Sequence, residues 1–240
     1  MMISVIKYIL VLLVLLFANT VQTITGFAGT LLAMPVTMRL IGVTNAKAIL
    51  NIFTMLACIG IAWQNRNYIN KKELIKIIIG MLIGMVIGIR LFDLCPQKVL
   101  LRCYGVMIII VAIRNLFSKS QKELGSIGRT AIILAAGIIH GMFVSGGALL
   151  VVYAVCVLKN KDEFRATISS VWVILDFILM FSHYSSGYYN RENILLIVIS
   201  IIVIILSIKL GNALYKKIDQ VVFMKIICVL LMISGVMSII

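Results

Sequence analysis

The sequence predicts an all-α protein that crosses a membrane several times. Of its 240 residues, 62% are hydrophobic and only 12% are charged. Long apolar runs alternate with short charged loops, and a glycine-rich interruption occurs once in each half of the chain. No soluble domain of this size buries so much apolar surface, so the runs are typical of membrane spans. The net charge of +14 then belongs to loops at the lipid headgroups, and its scatter excludes a nucleic-acid surface.

Eight apolar runs lie on the two sides of a charged linker at 118–126. They cover about 3–41, 46–64, 73–92 and 98–117 before the linker, and about 127–158, 165–184, 192–210 and 220–240 after it. Six of them are about 20 residues long, which is the length of one helical span. We therefore predict two membrane repeats, 1–117 and 127–240, and we expect the N-terminal run to be retained because no convincing signal-peptide cleavage site follows it.

The first run of each half is too long for one span. A continuous helix over the first run would extend about 58 Å, nearly twice the hydrocarbon thickness. Glycine-rich stretches interrupt these runs, with TGFAGT at 25–30 and VSGG at 144–147. A shift of 118 residues aligns Gly29 with Gly147 and Lys47 with Arg165 without a gap. Each long run is therefore either one broken span or a hairpin of two shorter helices.

The distribution of basic residues favours the hairpin, because cytoplasmic loops carry an excess of Lys and Arg. If each long run crosses once, the 22 basic residues divide into 10 and 12. If each is a hairpin, 15 lie on one side and only 7 on the other, and the seven are Lys7, Arg39, Lys47, Arg90, Lys98, Arg102 and Arg191. This arrangement places the N-terminus outside. Each half then has five elements, an odd number, so the second repeat is inverted relative to the first, as in many transporters.

The two glycine motifs also carry a family resemblance. The first half contains GFAG at 26–29, then Pro35 and Lys47-Ala48, and the second half contains SGG at 145–147 and Arg165-Ala166-Thr167. In these residues and in its two-half layout the chain resembles the sulfite exporter TauE/SafE family of membrane permeases. It departs from the pattern at Tyr153, which replaces Pro35, and at Thr30, where a glycine is usual. The resemblance implies transport of small anions, of which sulfite, sulfoacetate and related organosulfonates are the associated types.

An anion inside a membrane needs polar groups that replace its water shell. A helix N-terminus supplies free N–H groups and a partial positive charge, and glycine allows close approach of the backbone. We therefore predict a substrate site at the two motifs and at polar side chains of nearby spans, formed by Thr25, Gly26, Gly29, Thr30, Asn51, Ser145, Gly146, Gly147 and Ser169. The alternative is that these glycines only permit tight helix crossing and the hydroxyl groups bond their own backbone.

Two titratable residues are candidates for a proton relay. Asp176 is the only acidic residue deep within a predicted span, and His140 lies just before the second motif. An intramembrane carboxylate suggests function, and histidine titrates near neutral pH. The alternatives are a structural hydrogen bond for Asp176 and a core position for His140. Lys47 and Arg165, at matching loop ends, are interpreted as interface anchors, although they could also draw anions toward a vestibule.

The sequence gives no indication of a cofactor, a metal or an enzyme. The five cysteines form no CxxC pair, and no GxxxxGK[ST] stretch occurs, so active transport would depend on an ion gradient. His140 and Ser145 lie about 140° apart on a helix, which does not suit the pair of an intramembrane serine protease. A passive channel or a membrane assembly factor remains the alternative, although no ring of like charges indicates a channel.

The resulting hypothesis is a multi-pass transporter of a bacterial plasma membrane that moves a small anion by alternating access. Its expected partners are that anion and the lipid bilayer, and a homo-oligomer is left open. The sequence does not fix the anion, the direction of transport or the coupling ion.

Overall fold

A computed structural model describes residues 2–117, 125–158 and 160–215, together with isolated residues between 217 and 239. The described helices are α1 (Met2–Thr25), α2 (Gly29–Ile41), α3 (Val43–Gln64), α4 (Lys71–Leu94), α5 (Gln97–Phe117), α6 (Ser126–Phe143), α7 (Gly147–Val157), α8 (Lys161–Ser185) and α9 (Arg191–Tyr215). The all-helical prediction is confirmed. Most of the linker at 118–126 and most of the last predicted run, 220–240, lie outside the described residues.

Six of the described helices are long and apolar enough to cross a membrane. They are α1 from Ile6 onward, α3, α4, α6, α8 and α9. By contrast, α2 and α7 have only 13 and 11 residues, so they are too short to span a bilayer alone. The prediction of a multi-pass membrane protein is confirmed.

The two short helices fold back on the helices that precede them. Gly29 at the start of α2 lies against Ala18 and Gln22 of α1. Gly146, just before α7, lies against Ala136 and His140 of α6. Each long run is therefore a hairpin and not one broken span, and the hairpin tips lie at 26–28 and 144–146.

Both hairpins turn through a residue in the left-handed backbone region. Gly26 follows α1 with φ +83°, and Val144 follows α6 with φ 55°. These two residues match under the shift of 118. Glycine adopts this conformation at little cost, whereas a β-branched residue is strained there.

Four glycines form the contact between α4 and α6. A Cβ atom on Gly84 would lie 2.1 Å from the Leu134 carbonyl oxygen, and one on Gly137 would lie 2.2 Å from the Met81 carbonyl oxygen. Gly88 and Gly141 are equally close to the opposite backbone. The spacing of four residues on each helix is a known sequence signal for such contacts.

The centre of the fold is the antiparallel pair α3 and α8. Asn51 near the start of α3 bonds Asp176 in the second half of α8, while Gln64 at the end of α3 bonds Asn212, which in turn bonds Arg165 near the start of α8. Around this pair, α4 packs on α6 and α8, and α9 packs on α1 and α3.

Candidate functional site

The first hairpin tip is held together by its own side chains. The Thr25 hydroxyl accepts hydrogen bonds from the amides of Phe27 (3.3 Å) and Ala28 (3.2 Å), and it donates to the carbonyl of Val21. The next amide, that of Gly29, donates to Oε1 of Gln22 at 2.7 Å. The N–H groups that normally stay unpaired at the start of a helix are therefore bonded within the chain from residue 27 to residue 29.

The carbonyl group of Gly26, at the same tip, also accepts hydrogen bonds. The Gly26 carbonyl accepts from Nε2 of Gln22 at 3.2 Å and from the indole nitrogen of Trp172 at 2.9 Å. Gln22 thus spans the tip from Gly26 to Gly29, and Trp172 attaches the tip to α8. Of the predicted substrate-binding residues, Thr25, Gly26 and Gly29 therefore already have intramolecular partners.

The second hairpin tip lacks this self-bonding. Among the described residues, no side chain accepts a hydrogen bond from the amides of 145–149. The buried hydroxyl of Ser145 instead accepts from the Tyr104 hydroxyl at 2.7 Å, and Tyr104 stacks on Phe143 with ring centres 4.5 Å apart. Because a hydroxyl can donate while it accepts, Ser145 keeps a donor for another group.

The two tips meet inside the protein. A Cβ atom on Gly147 would lie 2.7 Å from the carbonyl oxygen of Phe27, so the start of α7 contacts the first tip directly. Gly26 in turn lies beside the backbone of Arg165 on α8. The two motifs, which are 118 residues apart in the sequence, therefore form one region of the structure.

His140 and Asp176, predicted separately as proton-relay residues, are paired. Nε2 of His140 lies 3.1 Å from Oδ1 of Asp176, and both side chains are fully enclosed. Asn51 donates from Nδ2 to the Asp176 backbone carbonyl at 3.0 Å and to its carboxylate at 3.3 Å. The two groups are at ion-pair distance, whereas within the described part of the chain neither ring nitrogen of His140 makes a hydrogen bond of good geometry.

Hydrogen bonds and one ring stack connect this pair to its surroundings on two sides. On one side, the His140 ring stacks on Trp172 with centres 5.2 Å apart, and Trp172 bonds the first tip. On the other side, Oδ1 of Asn51 accepts from the hydroxyl of Tyr189 at 3.1 Å, in the half-buried loop between α8 and α9. Burial raises the pKa of Tyr189, so its hydroxyl keeps its proton at neutral pH and donates it to Asn51.

The remaining predicted residues lie near the first tip. Thr30 lines a small cavity with Asn19, Gln22 and Thr54, and the cavity has room for about one water molecule. Ser169 is fully buried beside the thiol of Cys58. The Cys58 sulfur in turn accepts a hydrogen bond from Nε2 of Gln22 at 3.5 Å. Asn51 differs from the others because it bonds Asp176 and not a glycine motif.

The interpretation of Lys47 and Arg165 as interface anchors does not fit their positions. Lys47 is 3% exposed and Arg165 is 4% exposed, so both lie inside the fold. Lys47 is covered by Phe92 near the end of α4 and by Tyr188 in the loop after α8, and Arg165 is covered by Asn212 and Tyr215 of α9 and by the first hairpin tip.

Sequence reasoning did not find the contacts that join these groups. Trp172 carries no pattern that predicts a bond to Gly26, and Tyr104 and Tyr189 each lie far along the chain from their partners. A tyrosine or tryptophan beside a predicted span suggests a buried polar partner but does not name it. Among the described residues, no group of three or more His, Cys, Asp or Glu side chains is placed to hold a metal.

Comparison with protein families gives one result for this chain. Residues 11–238 match the family described as Sulfite exporter TauE/SafE. No curated protein and no solved structure matches the chain.

Proposed function

The chain belongs to the sulfite exporter TauE/SafE family, and we propose that it carries sulfite or an organosulfonate across a bacterial plasma membrane by proton-coupled alternating access. The family consists of transporters, so the protein is a membrane carrier and not an enzyme. The observation that carries the finer proposal is the meeting of the two hairpin tips beside the buried pair of His140 and Asp176.

Reciprocal packing supports two inverted repeats, 1–117 and 127–240. If the halves are related by a two-fold axis, each contact between them has a counterpart. The contact of α4 with α6 corresponds to that of α9 with α1, and the contact of α4 with α8 corresponds to that of α9 with α3. The antiparallel pair of α3 and α8 would lie on the axis. Such a repeat pair gives two conformations of similar energy, one open to each side.

The proposed substrate site lies where the tips meet. The second tip contributes the amides of Ser145, Gly146 and Gly147 and the free O–H of Ser145, and Thr30 lies behind the first tip in a cavity lined by α1, α2 and α3. Donors of this kind favour a small oxyanion over a cation or a neutral solute. Gly26, Gly29 and Thr25 shape the site by fixing the first tip, Ser169 lies behind that tip beside Cys58, and Asn51 acts on the site through its bonds to Asp176.

Proton coupling is assigned to His140 and Asp176. The series that runs from Tyr189 through Asn51 orients the Asp176 carboxylate toward one end of α8, and the proton itself is held by the pair because an amide does not carry protons. The stack of His140 on Trp172 connects the pair to the Gly26 carbonyl. Loss or gain of a proton on the pair would therefore change the contacts that hold the first hairpin.

A conformational change is part of the proposal, because the polar cavity near Thr30 holds about one water molecule and not a sulfonate. The hairpins are the mobile elements in this mechanism. Since Gly147 contacts Phe27, a movement of one tip displaces the other.

The test uses purified protein in vesicles with sulfite or sulfoacetate and an imposed pH gradient. We expect the natural protein to accumulate one of these anions when the gradient is present. Asp176→Asn should lose accumulation but still exchange labelled anion, because the proton site is removed and the tips remain. Glu192→Gln, a change at an exposed carboxylate, is the matched control and should behave like the natural protein.

Three outcomes separate the parts of the proposal. Accumulation by Asp176→Asn at the natural rate would remove the proton relay. Movement that is only downhill and does not saturate with concentration would favour a passive channel. If neither anion moves with or without the pH gradient, the protein is not a carrier of this class.

A further inference from the structure

Two cations at matching positions lie inside the fold, Lys47 on α3 and Arg165 on α8. Within the described part of the chain, neither is within ion-pair distance of a carboxylate. Because α3 and α8 are antiparallel, the two cations lie near opposite ends of the helix pair, about 25 Å apart along its axis. A buried cation without an anionic partner is unfavourable, so its retention at both ends suggests that an anion is bound there at some stage.

The Lys47 end contains donors but few acceptors. The Lys47 ammonium lies 3.4 Å from the centre of the Phe92 ring and 5.8 Å from that of Tyr188. Tyr188 stacks on His183 with centres 5.1 Å apart, and neither ring nitrogen of this buried histidine has a hydrogen-bond partner among the residues that the structure describes. The nearest acidic side chain, that of Asp93, is exposed and lies beyond ion-pair distance.

The Arg165 end has a similar arrangement. Nη2 of Arg165 donates to Oδ1 of Asn212 at 2.6 Å, and the guanidinium lies 4.7 Å from the centre of the Tyr215 ring. Its buried Nε atom makes no hydrogen bond to the described part of the chain. The neighbouring carboxylate of Asp162 accepts from the Tyr215 hydroxyl instead, at 2.8 Å.

Each cation also lies next to one hairpin tip. Arg165 is in backbone contact with Gly26 of the first tip. Phe92, the ring beneath Lys47, packs edge-on against Phe143 at the base of the second tip, with centres 6.2 Å apart. The two buried cations therefore flank the tips, Arg165 by direct contact and Lys47 through the ring of Phe92.

We propose that Lys47 with His183 forms an oxyanion-binding site at one end of the transport path, and that Arg165 forms its counterpart at the other end. The aromatic rings of Phe92 and Tyr215 hold the cations while the sites are empty, since a cation over a ring face is attracted without a bound anion. The assignment rests on the proposed function and names the residues that receive the anion on each side.

The test measures the KM for sulfite from each face of the membrane, in vesicles of the two opposite orientations. Lys47→Met should raise the KM at least about tenfold from one face, and Arg165→Met should do so from the other, because a lost charged contact weakens binding by about that factor. His183→Gln should raise the KM on the same face as Lys47→Met. Arg90→Gln and Lys72→Gln, which remove exposed charges near the respective ends, are matched controls.

A second measurement separates an anion site from a structural anchor. Sulfite should raise the melting temperature of the natural protein, and Lys47→Arg should retain most of this effect. Lys47→Met should lose it while melting no lower than the natural protein in the absence of sulfite. A different result would identify Lys47 as a structural anchor and overturn the proposal. In that case Lys47→Met melts far below the natural protein without sulfite, whereas Lys47→Arg and His183→Gln both keep the natural melting shift on addition of sulfite.

The measurements distinguish an error in the two oxyanion sites from an error in the proposed transport function. If the natural protein neither binds nor moves sulfite, the carrier proposal is wrong. If it does both, and the Lys47 and Arg165 variants show unchanged KM values from both faces, the carrier stands and only these two sites are overturned.

Discussion

The two hairpin tips begin from matching sequence positions and reach different states. In the first tip, Gly26 turns the chain without strain, and side chains bond the amides from 27 to 29. In the second tip, Val144 makes the same turn with φ 55°, a conformation that costs a non-glycine residue about 1–2 kcal/mol. No described side chain bonds the amides that follow it.

This difference assigns different roles to the two tips. A tip whose amides are bonded by Thr25 and Gln22 has little capacity left for a ligand, and we expect it to move as one unit. A tip with strained backbone and free amides is typical of a binding element. We therefore expect substitutions in the first tip to change mainly stability, and polar substitutions in the second to change mainly anion binding.

The contact between the tips should give the largest effect. In Gly147→Ala the new methyl group would lie 2.7 Å from the carbonyl oxygen of Phe27, so the backbone of both tips must move. We expect a loss of about 3 kcal/mol in the free energy of unfolding and a loss of transport. Thermal unfolding in detergent and vesicle uptake measure the two quantities. Gly125→Ala, where a Cβ atom meets nothing within 4 Å, is the control, and a natural melting curve for Gly147→Ala would contradict the contact.

Loss of the Thr25 hydroxyl, the acceptor in the first tip, should lower the stability of the protein and leave its anion affinity unchanged. Thr25→Val leaves the amides of Phe27 and Ala28 without their partner, which should lower the free energy of unfolding by about 1–2 kcal/mol. Thr25→Ser keeps the hydroxyl and should retain most of the stability. A tenfold weaker anion affinity in Thr25→Val, with unchanged stability, would show that this tip binds substrate after all.

In the second tip we expect substitutions to change anion affinity more than stability. Ser145→Ala removes the O–H that is free to donate, so the anion affinity should fall about tenfold, which corresponds to about 1.4 kcal/mol. Tyr104→Phe removes only the other partner of the same hydrogen bond and is the matched control. Anion-dependent melting shifts compare the two, and an equal loss in both variants would mean that the bond matters only for packing.

The smallest expected effect comes from the link between the first tip and α8. Trp172→Phe removes the indole N–H from the Gly26 carbonyl, which still accepts from Gln22. Because the ring stack on His140 is kept, we expect a loss of only about 1 kcal/mol in the free energy of unfolding. A far larger loss, measured by thermal unfolding, would show that the indole volume, and not its hydrogen bond, holds the tip.

Sequence reasoning reached the fold class and the chemical types of the site residues, but not their partners. It favoured the hairpins because the runs at 3–41 and 127–158 exceed one span and because a hairpin divides the basic residues 15 to 7. It named His140 and Asp176 one by one and did not predict their contact across α6 and α8. It used the glycines at 26, 29, 146 and 147 and overlooked Gly84, Gly88, Gly137 and Gly141, which have the same residue type and form the close contact of α4 with α6.

The sequence by itself determined that this protein is a helical membrane protein with a repeated glycine motif, because apolar run length, charge distribution and local spacing are properties of neighbouring residues. The tertiary structure alone decided which motif is closed by side chains, and it buried Lys47 and Arg165. It also placed His140 against Asp176 and joined Tyr189 to Asn51. These contacts join residues far apart along the chain, and the packing of helices that brings them together is set by the whole chain and not by any local pattern.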